Sequence, residues 1–118
     1  MGDYRKLRVW QQARKLTYQA YRVTAGFPLH ERFGLTAQIR RAAVSIMANI
    51  AEGCGRNRDG ELLRFLTIAR GSATELDCHL IVAEDQSYLD KEAAPALQQR
   101  VELIQRMLML LIHRLRNK

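Results

Sequence analysis

The sequence predicts an all-α fold, an antiparallel up-down-up-down four-helix bundle, and three observations support this prediction. Apolar residues recur at steps of three and four along four separate segments of the chain. Only two prolines and seven glycines occur in 118 residues, so those segments are long and uninterrupted. β-Branched residues are few beside leucine, alanine, glutamine, arginine and glutamate, which favours helix. The length suits one domain over residues 1–118.

Two amphipathic segments make up the first half of the chain. The apolar stripe of the first consists of Val9, Ala13, Leu16, Ala20 and Val23. A Gly-Phe-Pro sequence at 26–28 ends that helix. The stripe of the second consists of Leu35, Ile39, Ala42 or Ala43, Ile46 and Ile50. Gly53 and Gly55 follow it, and we expect one of them to form a left-handed C-cap.

Two longer segments make up the second half. The stripe of the third consists of Leu62, Leu66, Ala69, Ala73, Leu76, Leu80 and Ala83. The stripe of the fourth consists of Leu97, Val101, Ile104, Leu108, Leu111 and Leu115. Asp59 and Asp90 are the expected N-caps, because a carboxylate accepts the free N–H groups of a first turn. Gly71 lies inside the third helix at a cost of about 1 kcal/mol relative to alanine, so we expect a close helix contact there.

The fourth segment has more apolar surface than one bundle can bury. It is apolar on nearly every side from residue 107 to residue 112. A helix that is apolar all round is buried all round, so the surplus face requires another subunit. We therefore predict a homo-oligomer, with an interface that contains Leu103, Met107, Leu110 and Ile112.

The net charge of +7 and the pI near 10.0 indicate an acidic partner. Nucleic acid is the first candidate and an anionic membrane surface the second; the alternative is a soluble protein that happens to be basic. Cys54 and Cys78 do not suggest a disulfide framework, which favours a reducing cytosol. The N-terminus lacks the apolar run of a signal peptide, and the longest apolar run is too short to span a membrane. We expect a soluble cytoplasmic protein.

The sequence contains no pattern typical of an enzyme or a metal site. Cys78 and His79 are adjacent, so they point about 100° apart on a helix. Glu75 and His79 form no repeated Glu-x-x-His motif. No Gly-x-Ser-x-Gly elbow is present, and Gly-Cys-Gly-Arg at 53–56 lacks the Lys-Ser/Thr of a phosphate loop. We therefore expect no catalytic activity, no metal and no cofactor.

Asn49 and Glu52 interrupt the apolar stripe of the second helix. A buried carboxylate without a partner is strongly unfavourable. The third helix offers Arg70 and Ser72 at the matching level of an antiparallel bundle. We predict a Glu52–Arg70 ion pair, with Asn49 and Ser72 completing a network that fixes helix register. The alternative is that these groups line a ligand pocket, which would belong to an enzyme without a known signature.

Three segments resemble the 23S rRNA intervening-sequence family of four-helix bundle proteins. They read "LRVWQQARKL" at 7–16, "FPLHERFGLTAQIRRAAVSIMANIAEGCGR" at 27–56 and "RFLTIARGSATELDCHL" at 64–80. The family includes the accessory variability determinant of diversity-generating retroelements. Lys6 stands where the family usually has an acidic residue, so we expect the first helix to be capped from Asp3 or to fray.

This resemblance carries expectations about assembly and partners. Family members form rings of five subunits, so it implies a homopentamer, which would cover the surplus apolar face. Retroelement members are basic, bind nucleic acid and act with a reverse transcriptase, so it implies RNA, DNA or such a protein as the partner. It implies no enzymatic activity.

Basic residues are concentrated in the first half of the chain. Residues 1–26 carry six Lys/Arg and one acid, whereas residues 59–87 carry two Arg and six acids. The candidate phosphate contacts are Arg5, Lys6, Arg8, Arg14, Lys15, Arg40, Arg41, Arg56 and Arg58. Arg40 and Arg41 suit subunit contacts equally well. Tyr4 and Trp10 are candidates for stacking on bases, although a tryptophan on an amphipathic helix more often packs in the core.

These observations favour a non-catalytic, oligomeric protein that binds structured RNA or DNA through phosphate contacts. The alternative is a protein-interaction scaffold that docks a partner such as a reverse transcriptase. Binding to naked RNA that weakens steeply with salt would favour the first function.

Overall fold

Four α-helices form the protein, which a computed structural model describes from residue 2 to residue 118. They are α1 (Arg8–Thr24), α2 (Leu35–Cys54), α3 (Asp59–Asp85) and α4 (Ala93–Arg116). Short 3-10 helices, Tyr4–Lys6 and Leu29–Glu31, precede α1 and α2, and residues 2–118 contain no strand. The predicted all-α fold of four helices is confirmed.

The four helices pack in a square, and each contacts two others. α1 packs against α2 and α4, and α3 packs against the same two helices. α1 and α3 therefore lie on one diagonal of the bundle. The short connections make sequential neighbours antiparallel, and the bundle measures 46 × 22 × 20 Å.

One hydrophobic core extends through the bundle, and the predicted stripes supply most of it. Every residue of the α3 stripe is buried. Four predicted stripe residues are only half-buried, and they are Val23, Leu35, Leu111 and Leu115. The largest fully buried side chains include Leu16, Ile39, Ile46, Ile50, Leu66, Leu76, Leu80, Ile104 and Leu108.

The apolar surface of α4 differs in one residue from the predicted interface. Leu103 and Met107 are half-buried, and Leu110 is 56% exposed beside the exposed Met109. Ile112, in contrast, is 2% exposed and belongs to the core. It follows Leu108 by four residues and therefore lies on the same, inward face of the helix. The prediction that Ile112 is free to contact another subunit is wrong.

The two predicted N-caps have different outcomes. Asp59 is the first residue of α3 and not its N-cap. Its carboxylate lies 2.9 Å from Nζ of Lys118, because α3 begins where α4 ends. Asp90 is not the N-cap position of α4 either, which is Glu92, but its Oδ1 accepts hydrogen bonds from the backbone N–H groups of Glu92 and Ala93, at 3.0 and 2.7 Å, as a capping carboxylate does.

Both predictions about glycine conformation and contact are wrong. Gly55 has φ −80°, and no glycine among residues 2–118 has a positive φ, so α2 ends without a left-handed cap. Gly53 instead allows α3 to approach closely. A Cβ at Gly53 would lie 3.0 Å from both Leu62 Cδ1 and Phe65 Cβ. Gly71 faces open space within the chain, so the close contact expected there occurs at Gly53.

The predicted ion pair between Glu52 and Arg70 is also wrong. Glu52 is exposed, and its Oε1 lies 2.9 Å from Arg56 NH2, one helical turn away. A solvated carboxylate does not require a partner from another helix, and an arginine four residues on is within easy reach. Arg70 is half-buried, and its Nε has no hydrogen-bond partner within residues 2–118.

A shorter network of neutral side chains joins α2 to α3 at this level. Asn49 Nδ2 donates to the carbonyl oxygen and the Oγ of Ser45, at 2.8 and 3.0 Å. Ser45 Oγ lies 2.8 Å from Ser72 Oγ across the helix interface. Asn49 and Ser72 are therefore connected through Ser45, without a charged group.

Candidate nucleic-acid interface

Charge is distributed unevenly across the bundle. α1 carries four cations, Arg8, Arg14, Lys15 and Arg22, and no acidic residue. α3, on the opposite corner, carries six acidic residues and two arginines. One corner of the molecule is therefore positive and the other negative. An anionic polymer is attracted to the α1 corner and repelled from the α3 corner.

An open groove of about 640 Å³ lies along the exposed side of α1, and we call it the basic groove. Its lining residues are Arg5, Trp10, Gln11, Arg14, Lys15, Tyr18, Gln19 and Arg100. Half of these residues are cations, and none is acidic. Such a composition suits an anion with several charges.

Arg5 reaches the groove from the segment that precedes α1. Asp3 Oδ1 accepts a hydrogen bond from the Arg5 backbone N–H at 3.0 Å and lies 3.2 Å from Arg5 Nε. These contacts lower the pKa of the Asp3 carboxyl, the backbone hydrogen bond contributing most. Asp3 thus caps the 3-10 helix Tyr4–Lys6, whereas α1 itself begins without a side-chain cap.

Arg100 enters the groove from α4, and sequence reasoning did not find it. Its Nε donates to Gln19 Oε1 at 2.8 Å, and its NH1 donates to Gln12 Oε1. Arg100 is half-buried, and no carboxylate of residues 2–118 lies within ion-pair distance of it. Two neutral amides thus hold a cation in place without neutralising its charge. One feature of the sequence could have indicated such a partner: Gln12 and Gln19 are seven residues apart and therefore lie on the same side of α1, where both can bind one side chain of a neighbouring helix.

The aromatic residues of the groove differ in exposure. Trp10 is 8% exposed and packs edge-on against Tyr4, with ring centroids 5.1 Å apart. The packing that its position on the helix favoured is therefore observed. Tyr18, which sequence reasoning did not single out, is 64% exposed. The groove thus has a packed tryptophan in its wall and a solvent-facing tyrosine.

The remaining predicted cations lie outside the basic groove. Lys6 and Arg8 are exposed where α1 begins, and Arg58 is exposed where α3 begins. The antiparallel order places these sites at the same end of the bundle. Arg56 is at that end too, but it pairs with Glu52. Of the nine predicted contacts, the groove therefore contains Arg5, Arg14 and Lys15.

Arg40 and Arg41 lie on α2 and have different surroundings. Arg40 Nε donates to Thr24 Oγ1 at 2.8 Å, and its guanidinium carbon lies 4.6 Å from the ring centroid of Tyr21. These contacts tie α2 to α1 within the chain. Arg41 is exposed.

Three further features concern metal ligands, thiols and membrane spans. Within residues 2–118 no three His, Cys, Asp or Glu side chains form a group that could hold a metal ion. Burial raises the pKa of the Cys54 thiol, which disfavours the nucleophilic thiolate. In the same range of residues, no helix combines the length and the apolar character needed to cross a membrane.

Comparisons with known proteins agree with the fold. The sequence profile described as 23S rRNA-intervening sequence protein matches residues 5–110. A crystal structure of a protein of unknown function, from the S23 ribosomal protein family of Bacteroides thetaiotaomicron, is similar with a TM-score of 0.80. The two are 21% identical, and the alignment covers 88% of this chain and 97% of the other. No curated protein matches this chain.

Proposed function

The chain belongs to the 23S rRNA-intervening sequence protein family, and from this premise we propose that it binds RNA or DNA, without catalysis, through phosphate contacts in the basic groove. The observation that carries this proposal is the convergence of Arg5, Arg14, Lys15 and Arg100 on one groove without an acidic lining residue. Each cation that contacts a phosphate releases condensed counterions, which is the main source of affinity for nucleic acid.

The dimensions of α1 fit a polymer better than a small anion. Arg8 and Arg22, which do not line the groove, extend the row of cations on α1 and are 14 residues apart, a distance of about 21 Å at 1.5 Å per residue. That span corresponds to about six nucleotides of rise in a duplex strand. The cations along it would meet several phosphates of one strand, whereas a single phosphate would satisfy only one or two of them.

Phosphate contacts position a nucleic acid but do not read its sequence. The groove carries long flexible cations and two glutamines, Gln11 and Gln19, and one of these glutamines already holds Arg100. We therefore propose binding with little sequence preference. Structured RNA is the first ligand to test, because the family is named for insertions in ribosomal RNA.

The experiment is a salt series of fluorescence anisotropy with a labelled RNA hairpin. The double variant Arg14→Ala/Lys15→Ala removes two cations from the groove. Arg64→Ala/Arg106→Ala is the matched control, because it removes the same charge from arginines that pair with Glu61 and Glu102 on α3 and α4. We expect the groove variant to reduce the slope of log affinity against log salt by about two, and the control to leave it nearly unchanged. Equal effects of both variants would contradict a role for the groove.

A second proposal concerns assembly. Leu110 and Met109 are exposed on α4, and Leu103 and Met107 line a neighbouring hollow of about 370 Å³. Apolar side chains that lie together on a surface are typical of a covered face. We propose that a second copy covers this face, in the ring of five implied by the family resemblance. Leu110→Asp should lower the particle mass in light scattering coupled to gel filtration. Ile81→Asp, which makes the same kind of change at an exposed apolar residue of α3, should leave the mass unchanged.

The alternative function is a scaffold that docks a protein such as a reverse transcriptase. It remains the second candidate, because a basic surface suits an acidic protein as well as a phosphate backbone. An assembled protein that does not bind RNA at any salt concentration would favour the scaffold.

A further inference from the structure

Tyr18 is the most exposed aromatic side chain of the basic groove. It lies on the outer side of α1, and 64% of its surface is accessible. Burial of a tyrosine ring stabilises a fold, so a ring that remains in solvent contributes little to the stability of this one. Its position therefore has no explanation in the packing of the bundle.

Two arginines flank Tyr18 on the same face of the helix. Arg14 is one turn before it and Arg22 is one turn after it. Arg22 NH1 donates to the Tyr18 hydroxyl at 3.0 Å, and its guanidinium carbon lies 5.7 Å from the ring centroid. These contacts place the guanidinium beside the ring while most of the ring stays accessible.

The order of these side chains along α1 is cation, ring, cation. An unpaired strand presents its groups in the corresponding order of phosphate, base, phosphate. Exposed aromatic rings beside cations bind unpaired bases by stacking, with little preference among bases because every base has a flat face. In a duplex the neighbouring bases cover those faces, so a surface tyrosine cannot reach them.

We propose that Tyr18 stacks on an unpaired base, so that the basic groove binds single-stranded nucleic acid or the unpaired segments of a folded RNA more tightly than a duplex. This inference rests on the proposed function and specifies its ligand class. Arg14 and Arg22 contact the phosphates on either side of the stacked base. Either RNA or DNA supplies this chemistry, because the ring contacts the base and not the sugar.

The test compares labelled strands of about 12 nucleotides, a length within the range of single-strand binding sites. One strand carries bases, and a second has the same phosphates but abasic sugars. Both are prepared with ribose and with deoxyribose, and a duplex of the same sequence is the third probe. The variants are Tyr18→Ala and Tyr18→Phe. Phe33→Ala is the matched control, because Phe33 is 87% exposed with the guanidinium carbon of Arg32 5.3 Å from its ring, but lies outside the groove.

We expect Tyr18→Ala to weaken binding of the base-bearing strand about fivefold or more and to leave the abasic strand unchanged. Tyr18→Phe keeps the ring and should retain the affinity, as should Phe33→Ala. A 2-aminopurine base in the strand should lose fluorescence on binding to the natural chain and not to Tyr18→Ala. The same dependence on Tyr18 is expected for ribose and deoxyribose strands.

The inference is overturned if Tyr18→Ala leaves the affinity for the base-bearing strand unchanged, or lowers the affinity for the abasic strand equally. In either case salt-dependent binding of the duplex would still support phosphate contacts in the groove. If no probe binds at low salt, the proposed function itself fails and this inference fails with it.

Discussion

Two glycines of the bundle should respond in opposite directions to the same substitution. In an exposed helix interior, replacing glycine by alanine stabilises by about 1 kcal/mol. Gly71→Ala should show this gain, because a Cβ there meets no atom within 4 Å. At Gly53 the new methyl group would lie 3.0 Å from the Cβ of Phe65, which is attached directly to the backbone of α3 and cannot move aside alone.

The magnitude at Gly53 is the difference between two effects. Overpacking of a well-packed contact costs about 1–3 kcal/mol, and the helix-propensity gain offsets about 1 kcal/mol of it. We expect Gly53→Ala to destabilise by up to about 2 kcal/mol. The two variants should therefore differ in unfolding free energy by about 1–3 kcal/mol.

Urea unfolding followed by far-UV circular dichroism, at one fixed protein concentration, measures both variants. Ala48→Gly is the control, because Ala48 is exposed on α2 and reports the propensity term alone, a loss of about 1 kcal/mol. If Gly53→Ala stabilises as much as Gly71→Ala, the close approach of α2 and α3 does not limit this site and the reasoning is refuted. A loss of stability in Gly71→Ala would show that Gly71 is covered in the assembled protein.

Three further predictions concern the contacts of Glu31 before α2, the basic groove, and the contact between Ser45 and Ser72. A hydrogen bond from the backbone N–H of Leu35, at the start of α2, lowers the pKa of the Glu31 carboxyl below its usual value of 4.5. A hydrogen bond from the Tyr88 hydroxyl lowers it further. The ionised Glu31 carboxylate therefore stabilises the fold fully above pH 4.5, and this stabilisation is lost as the pH falls through the lowered pKa. Glu31→Gln should consequently flatten the acid limb of a stability–pH curve. Arg100→Gln should reduce the salt slope of RNA binding by about one without loss of helix content; an unchanged slope would remove Arg100 from the interface. Ser72→Ala alone should lower the unfolding free energy by about 1 kcal/mol. In a double-mutant cycle, Ser45→Ala and Ser72→Ala together should lower it by less than the sum of the two single effects, whereas strict additivity would show that the two hydroxyls do not interact.

The helices and the core are the features that the sequence predicts best. The stripe of α3 is buried throughout, because a repeat of three and four residues places its members on one face whatever the neighbours are. The partners of polar side chains at helix ends are predicted less well, because several groups lie within reach of each. Glu52 pairs with Arg56, which lies four residues on and just beyond the end of α2, and not with Arg70.

The sequence alone is sufficient to predict the helical periodicity, the buried stripes, the positive charge of α1 and the family. Those properties depend on residues close together in the chain. Which distant residues meet depends on the tertiary structure, as for Arg100 and Gln12, which are 88 positions apart and form a hydrogen bond. It also decided that the small residue needed for close packing is Gly53 and not Gly71. Both outcomes depend on the rotation and axial register of neighbouring helices, which are set by the packing of whole helix faces against one another.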